Sequence, residues 1–146
     1  MNRVVIAAVS ISIAACSQNP LDDAIGAGRK AAESTLKDPA SARHIETFAV
    51  RGKGEEGKNT IYACGTIDGK NSFGAYTGGV RYVVQQGIGH DGTRVYNVSI
   101  HTEESDHRAT SETRFSVKKE TVFEKVYWNP SCTNEAHPPT FTGTAW

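Results

Sequence analysis

The spacing of apolar residues changes near residue 43, and the two periods predict a helix followed by strands. Between Pro20 and Lys37, apolar and small residues recur every three or four positions, which is the pattern of a helix with one narrow apolar stripe. Asn19 directly before Pro20, with acidic residues next, is typical of a helix N-terminus. Because the residue before a proline avoids the α region, Asp38-Pro39 predicts that the helix has ended by residue 37.

Beyond residue 43 the apolar period is two, which predicts β-strands. The glycine-rich charged segment 52–59 and the sequence His90-Asp91-Gly92-Thr93 are typical of short connections between neighbouring strands. Such connections favour a small antiparallel sheet of four to five strands. The predicted strands are residues 44–51, 60–66, 79–85, 94–101 and 112–117.

A short second helix is predicted near the C-terminus, over residues 119–128. Four apolar residues would share one face of it: Val122, Phe123, Val126 and Tyr127. Asn129-Pro130 predicts its end. Residues 135–146, with two adjacent prolines and small polar residues, are predicted to form a flexible tail.

Length and composition restrict the class of protein. The chain has 146 residues, enough for one domain, and its 38% hydrophobic and 22% charged residues are typical of a globular protein. Lys and Arg together number 16, as do Asp and Glu, so no excess of positive charge indicates a nucleic-acid partner.

The first 15 residues have the pattern of an export signal. Arg3 precedes roughly ten apolar residues, too few to span a bilayer. The stretch ends in Ile13-Ala14-Ala15-Cys16, which resembles the bacterial lipobox, in which the cysteine is acylated and becomes the new N-terminus. The alternative is an ordinary secretory signal cleaved near Ala15, which would leave a free thiol.

The lipobox predicts a stable lipid anchor at Cys16. Ser17 after it resembles the outer-membrane sorting signal, so the predicted location is the outer membrane, with the domain facing the periplasm. Residues 1–15 would be the signal peptide, residues 16–19 the lipidated end with a short linker, and residues 20–134 the periplasmic domain.

The two remaining cysteines, Cys64 and Cys132, form an even pair in an oxidising compartment, where a disulfide is expected. A reactive or metal-binding thiol pair is the alternative, but it would favour C-x-x-C spacing or nearby histidines, and neither is present. The predicted fold class is therefore α+β. An N-terminal helix packs on the sheet, and the disulfide ties the short C-terminal helix to it.

The segment from Lys70 to Gly79 concentrates glycines, aromatic rings and polar groups directly after a predicted strand. Exposed rings beside amides and hydroxyls are typical of a loop that binds sugars or peptides. The alternative is that the glycines only turn the chain while the rings fill the core. The glycine spacing of phosphate-binding loops is absent. The candidate binding residues are Lys70, Asn71, Ser72, Phe73, Tyr76 and, just beyond the segment, Arg81.

Two longer motifs stand out between residues 37 and 78. The first is Lys37-Asp38-Pro39-Ala40-Ser41-Ala42, and the second runs from Cys64-Gly65 through Lys70-Asn71-Ser72-Phe73-Gly74 to Gly78. Together with Trp128 shortly before Cys132, they resemble a family of small exported proteins and lipoproteins of Gram-negative bacteria and their prophages. Asp68 stands where that family carries asparagine. The resemblance implies export and the disulfide pairing, and it transfers no activity.

No residue pattern selects a catalytic or metal site. His101 and His107 flank an acidic stretch, but their spacing fits no standard zinc pattern. Serine, histidine and aspartate are all present, yet no G-x-S-x-G context selects a nucleophile. We therefore expect no catalytic residue, no metal and no cofactor.

These features favour a non-catalytic outer-membrane lipoprotein whose domain binds an envelope protein or a cell-wall component. An immunity or inhibitor protein, a phage-exclusion factor or an accessory envelope protein would fit this description. The alternative is a small periplasmic hydrolase or peptidoglycan-modifying enzyme. A deep pocket that holds a titratable group with a strongly shifted pKa would favour that alternative.

Overall fold

The computed structural model describes residues 19–55, 57–90, 92, 94–103 and 120–143, and in them it confirms the predicted α+β class. The N-terminal helix and the four strands are α1 (Pro20–Glu33), β1 (Arg43–Arg51), β2 (Thr60–Asp68), β3 (Val80–Ile88) and β4 (Val95–Thr102). A 3₁₀ turn, Pro39–Ser41, lies between α1 and β1. The C-terminal helix, residues 122–132, contains a π-helical turn (Glu124–Trp128) and the short α-helix α2 (Asn129–Cys132).

Helix α1 begins as predicted and ends four residues early. The Asn19 side chain accepts a hydrogen bond from the backbone N–H of Leu21, as an N-cap does. At the other end, the hydroxyls of Ser34 and Thr35 donate to the carbonyls of Ala31 and Ala32. These side chains compete with the regular helix ladder, so the chain leaves the helix after Glu33 and not after residue 37.

The strands form one antiparallel sheet in the order β1-β2-β3-β4, so each strand pairs with its neighbour along the chain. The observed strands agree with the predicted ones to within three residues at each end. The fifth predicted strand, residues 112–117, lies outside the described residues.

Helix α1 covers one face of the sheet through a stripe of small residues. Buried Ala32 packs with Ala63, Ile67, Tyr82 and Val84. The helix runs along the strands, because Gln86 near the end of β3 bonds to the Ala24 carbonyl, while Leu36 just beyond the helix lies against Gly69 at the end of β2. Its C-terminal end therefore points toward the connection between β2 and β3.

The C-terminal helix covers the opposite face, which we call the second face. Its core joins Cys64 and Val83 of the sheet to Phe123, Trp128 and Cys132. The predicted disulfide between Cys64 and Cys132 is present and buried, and it ties β2 to the end of the helix.

The C-terminal helix differs from the prediction in its packing and its end. In the π-helical turn the N–H of Asn129 bonds to the carbonyl of Glu124, which is five residues back instead of four. This widening rotates the later positions, so Val126 is exposed although the pattern predicted it on the buried face. Pro130 does not end the helix. It lies in the first turn of α2, where its missing N–H is tolerated, and the helix continues to Cys132.

The part of the tail that the structure describes, residues 135–143, packs against the second face, where composition predicted a flexible segment. The ring of His137 stacks on Phe48 with their centres 3.6 Å apart. Thr140 and Thr142 bond to groups of the sheet and the C-terminal helix. Thus hydrogen bonds and a ring contact hold a segment that has few apolar residues.

Among the helices of the described residues, none has both the length and the apolar character needed to cross a bilayer.

Candidate functional site

The segment after β2 forms a small closed hairpin, which we call the hairpin tip (residues 70–76). Lys70 and Tyr76 pair as an isolated antiparallel bridge. The Asn71 side chain accepts hydrogen bonds from the backbone N–H groups of Phe73 and Ala75, at 2.9 and 3.1 Å. Gly74 has a φ of +79°, a conformation that favours glycine. Asn71 therefore shapes the hairpin tip from within.

Phe73 lies at the apex of the hairpin tip with 92% of its surface exposed. It does not fill the core, so for this ring the structure contradicts the interpretation of the aromatic residues as core plugs. Tyr76 is half-buried, and its hydroxyl donates to the Ser41 carbonyl at 3.0 Å. The Tyr76 ring therefore fastens the hairpin tip, whereas the Phe73 ring is exposed to solvent.

The two sequence motifs meet at this site. The hydroxyl of Ser41, from the first motif, accepts a hydrogen bond from the backbone N–H of Lys70 at 2.8 Å. The Lys37 ammonium donates to the Ser72 hydroxyl at 2.6 Å. The turn that follows α1 thus holds the hairpin tip on one side, which the sequence motifs alone did not reveal.

Three cationic side chains lie at the hairpin tip, one from the tip itself and two from the chain before β2. The Arg43 guanidinium lies 3.6 Å from the centre of the Tyr76 ring, and the Lys70 ammonium lies 5.9 Å from it. Lys37 is the third. The ion pairs between described residues involve His44, Lys58, Arg81 and His137. None of them involves the three cations at the hairpin tip.

Arg81, predicted with the binding residues, belongs to a different part of the molecule. It lies in β3 and bonds on the second face to Glu103 at 2.5 and 3.0 Å, to Glu124 at 3.0 Å and to Thr140 at 2.6 Å. Burial acts to lower the pKa of Arg81, but its hydrogen bonds with the two carboxylates raise it above its ordinary value. Because its N–H groups already donate to side chains of the protein itself, Arg81 stabilises the second face and is not part of the hairpin tip.

The partner of Arg81, Glu124, is a buried carboxylate that we did not identify from the sequence. Burial alone would raise its pKa, but hydrogen bonds from the backbone of Thr121 and Thr142 and from the side chains of Thr140 and Arg81 lower it to about 2. Thr121 and Glu124 also form a reciprocal capping box, with hydrogen bonds of 2.9 and 3.1 Å. The pattern Thr-x-x-Glu before an apolar run is the sequence signal that could have identified this pair.

The strongly shifted pKa of Glu124 and the two cavities at the ends of the sheet lie in different places. Glu124, whose pKa is strongly shifted, is held inside a structural network. The cavities at the two ends of the sheet are lined by other residues. Across the described ranges, no three metal-ligating side chains lie close enough together to hold an ion. Cys16, the predicted lipidation site, lies outside the described residues.

Comparison with known proteins found no match. No family model matches the chain, and no curated protein or solved structure matches it either. Membership of the lipoprotein family that the motifs resemble stays a prediction.

Proposed function

We propose that the protein is a non-catalytic lipoprotein of the outer membrane whose periplasmic domain binds an envelope component through the hairpin tip. The observation that carries this proposal is the 92% exposed ring of Phe73 at the apex of a hairpin fastened by Asn71, Tyr76 and Ser41. Aromatic anchors contribute much of the binding energy at interfaces, and a rigid presentation lowers the entropy lost on binding.

The position of the hairpin tip is compatible with an anchor at Cys16. Asn19 caps the start of α1, whereas Lys37, beyond the end of α1, bonds to the hairpin tip. The 14 residues of α1 separate these ends by about 21 Å. A lipid anchor a few residues before Asn19 would hold one end of the domain at the membrane and leave the hairpin tip at the other end, free to contact a partner.

The first test replaces the exposed ring. Wild type and Phe73→Ala, both full-length and immobilised in detergent, are incubated with solubilised envelope extract. The amount of each component that wild type captures should fall at least about five-fold with Phe73→Ala, as expected for a residue that contributes 1 kcal/mol or more. The unfolding midpoint of Phe73→Ala should not change, because the ring is exposed.

Val126→Ala provides the matched control, since it also removes an exposed apolar side chain, but from the C-terminal helix. Capture that is equal for wild type and Phe73→Ala would refute binding through the hairpin tip.

The second test concerns the anchor. Cys16→Ala should release the protein from membranes or block its processing, because the acylated sulfur is lost. Membrane fractionation with labelled palmitate measures both effects. If Cys16→Ala protein stays in the outer membrane and wild type never incorporates label, the lipoprotein assignment is wrong.

A further inference from the structure

A surface cleft lies beside the hairpin tip, between the turn after α1 and the end of β2. It has a volume of about 290 Å³, close to the lower limit for small-molecule sites and of a size for one sugar ring. Its apolar lining comes from Leu36, Ile67 and Val80. Its polar lining comes from Lys37, Asp68, Lys70, Asn71, Ser72 and Thr77.

The polar lining combines positive charge with groups that accept and donate hydrogen bonds. Lys37 and Lys70 lie on the cleft, and no carboxylate of the described residues forms an ion pair with either ammonium group. The carboxylate of Asp68 also lines the cleft, and one of its oxygens accepts from the N–H of Gly69 at 2.9 Å. Two cations against one carboxylate favour a ligand that carries negative charge.

The hydroxyls and the exposed ring restrict the ligand further. Ser72 and Thr77 bring hydroxyl groups to the cleft. Phe73 does not line the cleft, but it follows Ser72 directly and is 92% exposed, so its ring is available to the part of a ligand that extends out of the cleft. Hydroxyls and a carboxylate match the hydroxyl groups of a sugar, and an exposed aromatic ring can pack against the apolar face of a pyranose. A simple inorganic anion would use the cations but neither the ring nor Asp68.

We propose that this cleft, together with Phe73, binds an acidic saccharide. The sugar carboxylate would pair with Lys37 and Lys70, its hydroxyls would bond to Asp68, Ser72 and Thr77, and its ring would pack on Phe73. This inference rests on the proposed function, because it names the ligand of the same surface. Two envelope polymers contain acidic sugars of this kind. Lipopolysaccharide contains ulosonic acids, and the cell wall contains muramic acid, whose carboxylate is free wherever its stem peptide has been removed.

The test is saturation-transfer NMR on the full-length protein in detergent micelles, which detects weak binding to a large particle. The probes are N-acetylmuramic acid, a free ulosonic acid, and neutral N-acetylglucosamine. At least one acidic sugar should bind about ten-fold more tightly than N-acetylglucosamine. The acidic sugar with the higher affinity identifies the source.

The variants locate the site. Lys37→Ala/Lys70→Ala should weaken binding of the acidic sugar about ten-fold, and Phe73→Ala should reduce saturation of its ring protons. Lys53→Ala/Lys58→Ala is the matched control, since it removes two exposed lysines from the β1–β2 connection at the other end of the sheet and should change nothing.

Two outcomes would overturn the inference. One is no saturable signal from either acidic sugar up to about 10 mM; the other is equal binding by the Lys37→Ala/Lys70→Ala variant. If either occurs while Phe73→Ala still lowers capture of an envelope component at least about five-fold, this inference fails and the proposed function stands. If an acidic sugar binds as described but Phe73→Ala captures as much as wild type, partner capture through the hairpin tip fails instead.

Discussion

At the scale of single residues, the second face depends on the charge pair of Arg81 and Glu124. The Glu124 side chain is fully buried and receives hydrogen bonds from both backbone and side-chain donors. Removing one partner of a buried ion pair is more damaging than the loss of a surface pair. Without Glu124, Arg81 would keep only its ion pair with Glu103. The tail residue Thr142 also bonds to the Glu124 carboxylate, so the same group fastens the C-terminal segment.

Glu124→Gln should therefore destabilise the protein in a pH-dependent way. Folding lowers the pKa of Glu124 from 4.5 to about 2, so its charge contributes stability above pH 4.5 that is lost as the pH falls toward 2. The difference corresponds to about 3 kcal/mol. Denaturant unfolding of wild type and variant from pH 7 to pH 2 should show a gap near this value at neutral pH that closes on acidification.

Glu55→Gln serves as the control, because that carboxylate is 92% exposed and should leave the unfolding free energy unchanged. A gap between wild type and Glu124→Gln that stays constant over the whole pH range would show that the charge of Glu124 does not stabilise the fold.

At the scale of elements, periodicity and capping predicted α1 and the strands because each of these elements has a regular spacing of apolar residues. The C-terminal helix was located, but its π-helical turn was not predictable from a 3.6-residue period, and Val126 was placed on the wrong face. The hairpin tip was identified by composition. Its contact with Ser41 joins positions 29 residues apart, which no local pattern encodes. The buried role of Arg81 depends on tertiary contacts in the same way.

The packing of α1 on the sheet gives a prediction about two glycines of the same helix. A Cβ at Gly28 would overlap the Cβ of Ala63 in β2, whereas a Cβ at exposed Gly26 would meet nothing within 4 Å. Gly28→Ala should destabilise the protein by about 1–3 kcal/mol, because the helix must move off the sheet. Gly26→Ala should stabilise it by about 0.5–1 kcal/mol through helix propensity alone.

Thermal and denaturant unfolding of the two single variants measure this difference directly. Both variants make the same chemical change in one helix, so the contribution of helix propensity cancels when their unfolding free energies are compared. The remaining difference reports the contact with Ala63. If Gly28→Ala were as stable as Gly26→Ala, α1 could not lie as close to β2 as described.

At the scale of the whole molecule, the sheet is covered on both faces, but the two covers are attached differently. Helix α1 is joined to β1 through a short turn and packs on all four strands. The C-terminal helix follows β4 only after a long stretch of chain, so its placement against β2 relies on the buried core of the second face and on the disulfide. The disulfide therefore holds the C-terminal helix, which the chain connection positions less tightly than it positions α1.

Loss of the disulfide should accordingly destabilise the fold, and the single and double variants should agree. The bridge spans 68 positions, so the chain-entropy estimate of its contribution is about 4 kcal/mol. Cys64→Ser, Cys132→Ser and the double variant should each lower the unfolding free energy by a similar amount, because any of them removes the same cross-link. Denaturant unfolding with and without reductant measures the loss.

Both cysteines are fully buried, so a thiol reagent should find neither reactive in the native wild type. Two reactive thiols in the folded protein, or an unfolding midpoint unaffected by reductant, would contradict this account of the second face.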